Sequence, residues 1–205
     1  MTITEIKKIG RGQRYYLFVD GAQRAIVEAE ILAKYKLRTD DEIDEERLNE
    51  ILLENGELSA FDRALTYLEK NIKTEKGIRE YLKQKGFLPV SIDNAVAKLM
   101  EYGYINDKTY AENYVRTYLR RKGKKLLRYE LLSKGVEANI IEEVLEEIFD
   151  ENEEISSCRE VFRKYTRNKE LDLKMKQKTY AYLAGKGFGS SVISRVMREV
   201  ECELE

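Results

Sequence analysis

The chain has no histidine. That removes Ser-His-Asp and Cys-His catalysis and every zinc site built on imidazole. Cysteine is scarce: Cys158 and Cys202 stand far apart, form no C-x-x-C and supply no thiolate cage, so they read as ordinary cytosolic thiols. Neither G-x-x-x-x-G-K-[ST] nor G-x-G-x-x-G occurs. A single proline, Pro89, and twelve glycines argue against disorder and collagen-like order. No apolar run approaches the roughly 20 residues a membrane helix needs. The start, Met1-Thr2-Ile3-Thr4-Glu5, lacks the basic-then-apolar build of a signal peptide. The expectation is a soluble cytoplasmic protein without cofactor, metal, membrane contact or catalytic centre.

What is present is charge. Charged residues make up 37% of 205 and hydrophobic ones 42%, a balance that suits thin helical layers with wide solvated faces. The formal net charge of −1 conceals segregation into blocks. Residues 106–135 carry a net +6, residues 136–154 a net −9 with no basic residue, and residues 155–198 a net +8. Such blocks create local fields that the pI of 5.9 does not report.

Internal repetition is the most informative feature. Anchored on Gly86, Gly135 and Gly187, a leucine stands four residues before, a lysine one before and an apolar residue one after. Further apolar residues follow at +6, +10 and +13: Ile92, Val96 and Leu99; Ile141, Leu145 and Ile148; Ile193, Met197 and Val200. Leu…Lys-Gly is a helix end, with glycine free to take φ > 0 and lysine near the negative end of the dipole. The later apolar positions mark one face of a second helix. Ser91 and Asn139 are placed as its N-caps, and Pro89 as an early residue. Each repeat has a helix upstream: Ala60–Lys70, opened by Ser59, then Asp107–Arg121, then roughly 155–166.

Residues 2–9, 14–19 and roughly 23–27 look like short strands turned by Gly10-Arg11-Gly12 and Asp20-Gly21. Helices follow over 28–36 and 44–54, the second closed by Asn55-Gly56. The reading is mainly α: three tandem three-helix repeats in an elongated, curved array, preceded by a small β-containing cap. The divisions expected are 1–58 for the cap and 59–105, 106–150 and 151–201 for the repeats.

The basic block supplies candidate contact residues. Arg116 and Arg120 form a stripe on the helix over 107–121. Arg121, Lys122, Lys124, Lys125 and Arg128 straddle a junction at Gly123, where they can meet phosphate or carboxylates or simply form a solvated corner. Lys174, Lys176 and Lys178 are a more diffuse group. Tyr110, Tyr114 and Tyr118 share a face with Ala111 and Val115. That spacing favours a packing seam over a stacking platform for single-stranded DNA. The acidic run from Glu142 to Glu154 reads as a helix face and linker rather than a divalent-metal site.

The stretch from Gly103-Tyr104-Ile105-Asn106-Asp107 through Tyr110-Ala111 to Tyr114-Val115-Arg116 resembles the G-Y-[LI]-[DN]-D-x-x-[FY]-A-x-x-[YF]-[VI]-R signature of the RecX family. Lys122-Gly123 and Arg128-Tyr129-Glu130-Leu131-Leu132-Ser133-Lys134-Gly135-Val136 are similar to its K-G…R-x-E-L-x-x-K-G-[IV] segment. The family's arginine at the start of the second repeat's middle helix is Leu126 here, beside Lys124 and Lys125. The resemblance spans about residues 60–200. It implies a non-catalytic regulator that binds RecA and the RecA–DNA filament, with possible direct DNA contact, and lowers recombinase and coprotease activity in the SOS response. Arg116, Arg120, Arg121, Lys122, Lys124, Lys125, Arg128, Lys174, Lys176 and Lys178 are the contact candidates. The alternative is a helical-repeat protein whose primary ligand is DNA. A monomer is expected, because stacked repeats satisfy one another.

Overall fold

The computed structural model describes the backbone of residues 1–204 and the side chains of residues 1–200. The Cys202 side chain lies outside the described residues. The chain divides into two compact units, one of residues 1–72 and 78–105, the other of residues 73–77 and from 106 onward.

The first unit opens with an antiparallel sheet of β1 (Ile3–Lys8), β2 (Arg14–Val19) and β3 (Ala22–Glu28), in that order, close to the expected strands. Asp20 and Gly21 both take positive φ, 49° and 79°, the twist that a two-residue hairpin turn needs. Leu17, Val19 and Val27 are buried with Ile3 against α1 (Ala29–Tyr35) and the first half of α2 (Glu45–Leu68), through Ile31, Leu48 and Ile51.

Helix α2 runs 24 residues without a break. The stop expected at Asn55-Gly56 and the fresh start at Ser59 do not occur. All three residues serve tertiary contacts from inside the helix. Asn55 is buried; its Nδ2 donates to the Ile26 carbonyl at 3.0 Å and its Oδ1 accepts from the Glu28 amide at 2.8 Å. It thereby satisfies the outer edge of β3. Gly56 admits α4 (Pro89–Glu101): a β-carbon there would stand 2.8 Å from Ser91 Oγ. The Ser59 hydroxyl donates to Glu28 Oε1 at 3.1 Å.

The first repeat joins the second half of α2 to α3 (Glu75–Gln84) and α4 around Ala60, Ala64, Leu82, Val96 and Leu99. The second comprises α5 (Asp107–Tyr118), α6 (Lys124–Ser133) and α7 (Ala138–Ile148) around Val115, Leu127, Leu131, Leu145 and Phe149. The third comprises α8 (Glu151–Thr166), α9 (Leu173–Gly185) and α10 (Ser190–Leu204) around Cys158, Phe162, Leu183, Phe188 and Val196.

The three middle helices end identically. Gly86, Gly135 and Gly187 take φ of +85°, +89° and +88°. Their amides donate to the carbonyls of Lys83, Leu132 and Ala184 at 2.9–3.0 Å. The next amides, of Phe87, Val136 and Phe188, reach back to Leu82, Leu131 and Leu183 at 3.1–3.3 Å. This is the Schellman arrangement, and all three leucines are fully buried. Fully burying such a side chain contributes about 2 kcal/mol. The lysine before each glycine does more than face the helix dipole. Lys85, Lys134 and Lys186 hold Nζ 5.5, 5.4 and 5.3 Å from the ring centroids of Tyr81, Tyr114 and Tyr182.

Because the Schellman turn fixes where the chain re-enters a helix, the next N-cap falls two residues after the glycine. Leu88 and Glu137 occupy it, not Ser91 or Asn139, which lie inside α4 and α7. Pro89 does open its helix.

Candidate protein and nucleic-acid interface

In the second unit the basic and acidic blocks meet. Lys108 bonds Glu143 at 2.7 Å, with Glu147 at 3.6 Å. Arg128 is bidentate to Glu142, with both bonds at 2.5 Å. That contact raises the guanidinium pKa and holds the Glu142 carboxyl below its ordinary range. Glu154, itself buried, faces the Lys124 amide at 3.4 Å, and Lys124 Nζ lies 5.9 Å from the Phe149 ring. Asp150 caps α8 through the Glu153 amide at 2.8 Å. The acidic run therefore pairs with two cations of its basic neighbour, Lys108 and Arg128.

Lys122 is drawn inward too. Its Nζ lies 2.7 Å from both Glu130 oxygens and 4.2 Å from the Tyr118 ring, and its side chain is 20% exposed. The Tyr114 hydroxyl donates to the same carboxylate at 2.9 Å. Burial and that hydrogen bond raise the Tyr114 pKa. Tyr110, Tyr114 and Tyr118 are half-buried and pack along one another against the repeat's core, with centroids 6.2 and 4.6 Å apart. They are a seam within the repeat.

What remains exposed of the candidates in this block is Arg116 near the end of α5, Arg120 and Arg121 in the turn after it, and Lys125 at the start of α6. Arg120 and Arg121 lie within electrostatic reach of Glu160 on α8. Glu160 pairs with Lys164 at 2.5 Å, and this pair is the main reason its pKa is lowered. Glu160 also lines a cleft of about 480 Å³ with Ser156, Arg159, Arg163, Lys164 and Arg167. Arg159 is held by Glu199, while its Nε is buried and finds no hydrogen-bond partner among the described residues. The cleft thus collects Arg159, Arg163, Lys164 and Arg167 beside Glu160, while Arg120 and Arg121 bear on that carboxylate only through their charge. Lys174 and Lys178 are exposed and Lys176 half-buried on α9, outside the residues that line the cleft.

Reading the sequence for charged clusters missed Arg159, Arg163 and Arg167. The signal was present: they recur at i, i+4 and i+8, one face of a helix. Planar guanidinium groups at that spacing suit phosphate or carboxylate oxygens.

The fold defines a tandem three-helix-repeat protein, and its third repeat carries a cleft lined by basic side chains. Models of the RecX first, second and third three-helix domains match residues 60–99, 106–145 and 152–197. The regulatory protein RecX of Clostridium beijerinckii is 36% identical over 203 residues, covering 98% of this chain and 95% of that protein. A crystal structure of a regulatory protein RecX superposes with a TM-score of 0.71 at 27% identity, covering 96% of this chain and 98% of that one. RecX from Lactobacillus salivarius gives 0.66 at 26% identity, covering 72% of this chain and 97% of that one. The chain belongs to the RecX family of regulatory proteins.

Proposed function

We propose that this protein binds RecA and RecA–DNA filaments in the cytoplasm and inhibits their recombinase and coprotease activities, so regulating DNA repair and the SOS response. It acts as a monomer and without catalysis of its own. The observation that supports the reading is the cleft lined by Arg159, Arg163, Lys164 and Arg167, in a chain of a regulatory family. The cleft can take phosphodiester oxygens of filament DNA or carboxylates of RecA. A second reading, with DNA as the primary ligand, draws on the same observation, because guanidinium forks match phosphate geometry.

The test is the single-stranded-DNA-dependent ATPase of RecA, with binding to naked DNA measured in parallel. Inhibition at or below one copy per RecA protomer is expected. Unchanged ATPase together with tight binding to naked DNA would replace the first reading by the second.

A further inference from the structure

Two of the three Schellman ends receive the start of another helix. At the end of α9, the Gly123 amide donates to the Lys186 carbonyl at 2.9 Å and the Lys125 amide to the Gly187 carbonyl at 3.1 Å. At the end of α6, the Thr74 hydroxyl donates to the Lys134 carbonyl at 2.8 Å and Lys76 Nζ to the Ser133 carbonyl at 3.1 Å. Both contacts need the glycine. A β-carbon on Gly187 would meet Leu126 at 2.4 Å, and one on Gly135 would meet Lys76 at 2.5 Å.

The third end, at Gly86, has a similar φ and the same internal bonds, yet among the described residues nothing lies within 4 Å of where its β-carbon would point. Gln84, Lys85 and Gly86 are all exposed. The rim is different as well. At two and four residues past the glycine stand Leu88 and Val90, 64% and 42% exposed. The filled ends carry Glu137 and Asn139, or Gly189 and Ser191, at those positions. Leu88 is moreover the N-cap of α4 and gives that helix no side-chain bond, although leucine is among the poorest residues for the position. It serves neither the cap nor the core. Phe87 is only half-buried, where Val136 and Phe188 are each 2% exposed.

We propose that the end of α3 is an open copy of this socket and takes the first turn of a helix from a partner protein. The fitting helix has a small or hydroxyl residue at its N-cap, as Gly123 and Thr74 are, and brings an apolar side chain over Leu88 and Val90. No middle helix of a second copy is free to fill it, since the starts of α3 and α6 are already seated. Its remaining middle helix is α9, in which the position twelve before the glycine, filled by Thr74 and Gly123 in the other repeats, is Met175. Helix α9 starts before that position, at Leu173, and the Asp172 carboxylate caps it by accepting from the Met175 amide at 2.6 Å. The added turn and its carboxylate stand where the socket's carbonyls would have to come.

The experiment titrates the full isotope-labelled chain with a lactam-constrained helical peptide of residues 120–134, which carries the α6 start. Amide shifts at residues 84–90 are expected, with a dissociation constant in the range of about 0.1–5 mM for so small a contact. Gly86→Asn and Leu88→Asp should each weaken that binding at least tenfold. Asparagine tolerates positive φ, and its side chain would enter open space, so Gly86→Asn should melt near wild type. Two results overturn the proposal: no shift at residues 84–90, or shifts confined to residues 186–188, where the peptide would merely displace its own copy. Self-association that Leu88→Asp abolishes would overturn it too, since the occupant would then be a second copy.

Discussion

Gly123 lies so close to Gly187 that a β-carbon on it would stand 2.4 Å from the Gly187 carbonyl oxygen. This contact joins the second and third repeats backbone to backbone. It explains why a helix start, where serine or aspartate is usual, carries glycine here. It also places Leu126, half-buried, against Gly187.

The glycines should therefore differ in what they tolerate. Gly187→Ala and Gly135→Ala add a clash to the strain of a positive φ and should each lose about 3 kcal/mol or more. Gly123→Ala lacks the strain but keeps the clash, and should lose about 2–3 kcal/mol. Gly86→Ala carries the strain alone, about 1–2 kcal/mol. Urea unfolding of the four variants measures this order. Equal losses at Gly86 and Gly187 would contradict it.

Charge reversal at Arg120, Arg121, Arg163 and Arg167 should weaken RecA inhibition about tenfold to a thousandfold, at roughly 0.5–1 kcal/mol per exposed contact with non-additivity. Helicity should be retained, and inhibition by the wild type should weaken as salt rises. Lys122→Glu and Arg128→Glu report on something else. Each sets a carboxylate against Glu130 or Glu142, so the melting temperature should fall before any effect on RecA can be read. An unfolding curve beside each ATPase curve separates the two groups.

Asn55→Ala should lose about 2–4 kcal/mol. It leaves the Glu28 amide and the Ile26 carbonyl without their partner, at about 1–2 kcal/mol each. Hydrogen exchange should quicken at the Glu28 amide first. If protection there is unchanged, Asn55 is not what satisfies the β3 edge.

The Arg128–Glu142 pair gives a pH dependence. The folded pKa of Glu142 lies below its unfolded value, so the stabilisation is complete above the unfolded carboxylate range and is lost as pH falls through the folded pKa. Wild type and Glu142→Gln should thus differ in stability at pH 7 and converge in acid. A gap that stays constant down to pH 2 would refute the assignment.

Cys158 is fully buried, and burial, with a smaller effect of Glu154, pushes its thiol up to about 12. In a Cys202→Ser background, a thiol reagent at pH 8 should react with Cys158 only at the rate of unfolding.

The repeat signals could be read in the sequence because they are local. Leu82 and Gly86 lie within one turn of each other, and the same holds for Leu131 with Gly135 and Leu183 with Gly187. Asn55-Gly56 misled for the opposite reason: its purpose lies 27 and 29 residues away, at Glu28 and Ile26. The contact surface was half legible. The charge at Arg120 and Arg121 was plain. That Glu130 would take Lys122 and Glu142 would take Arg128 depends on how α5, α6 and α7 pack, and charge counting does not contain it.

Helix α2 holds the sheet's core against its first half and the first repeat's core against its second. At 1.5 Å per residue its 24 residues make a rod of about 36 Å. With no joint at Asn55-Gly56, a push on the sheet reaches the first repeat as tilt rather than being absorbed in a hinge. The N-terminal sheet and the first repeat therefore share one lever, and a displacement at one end is carried to the other.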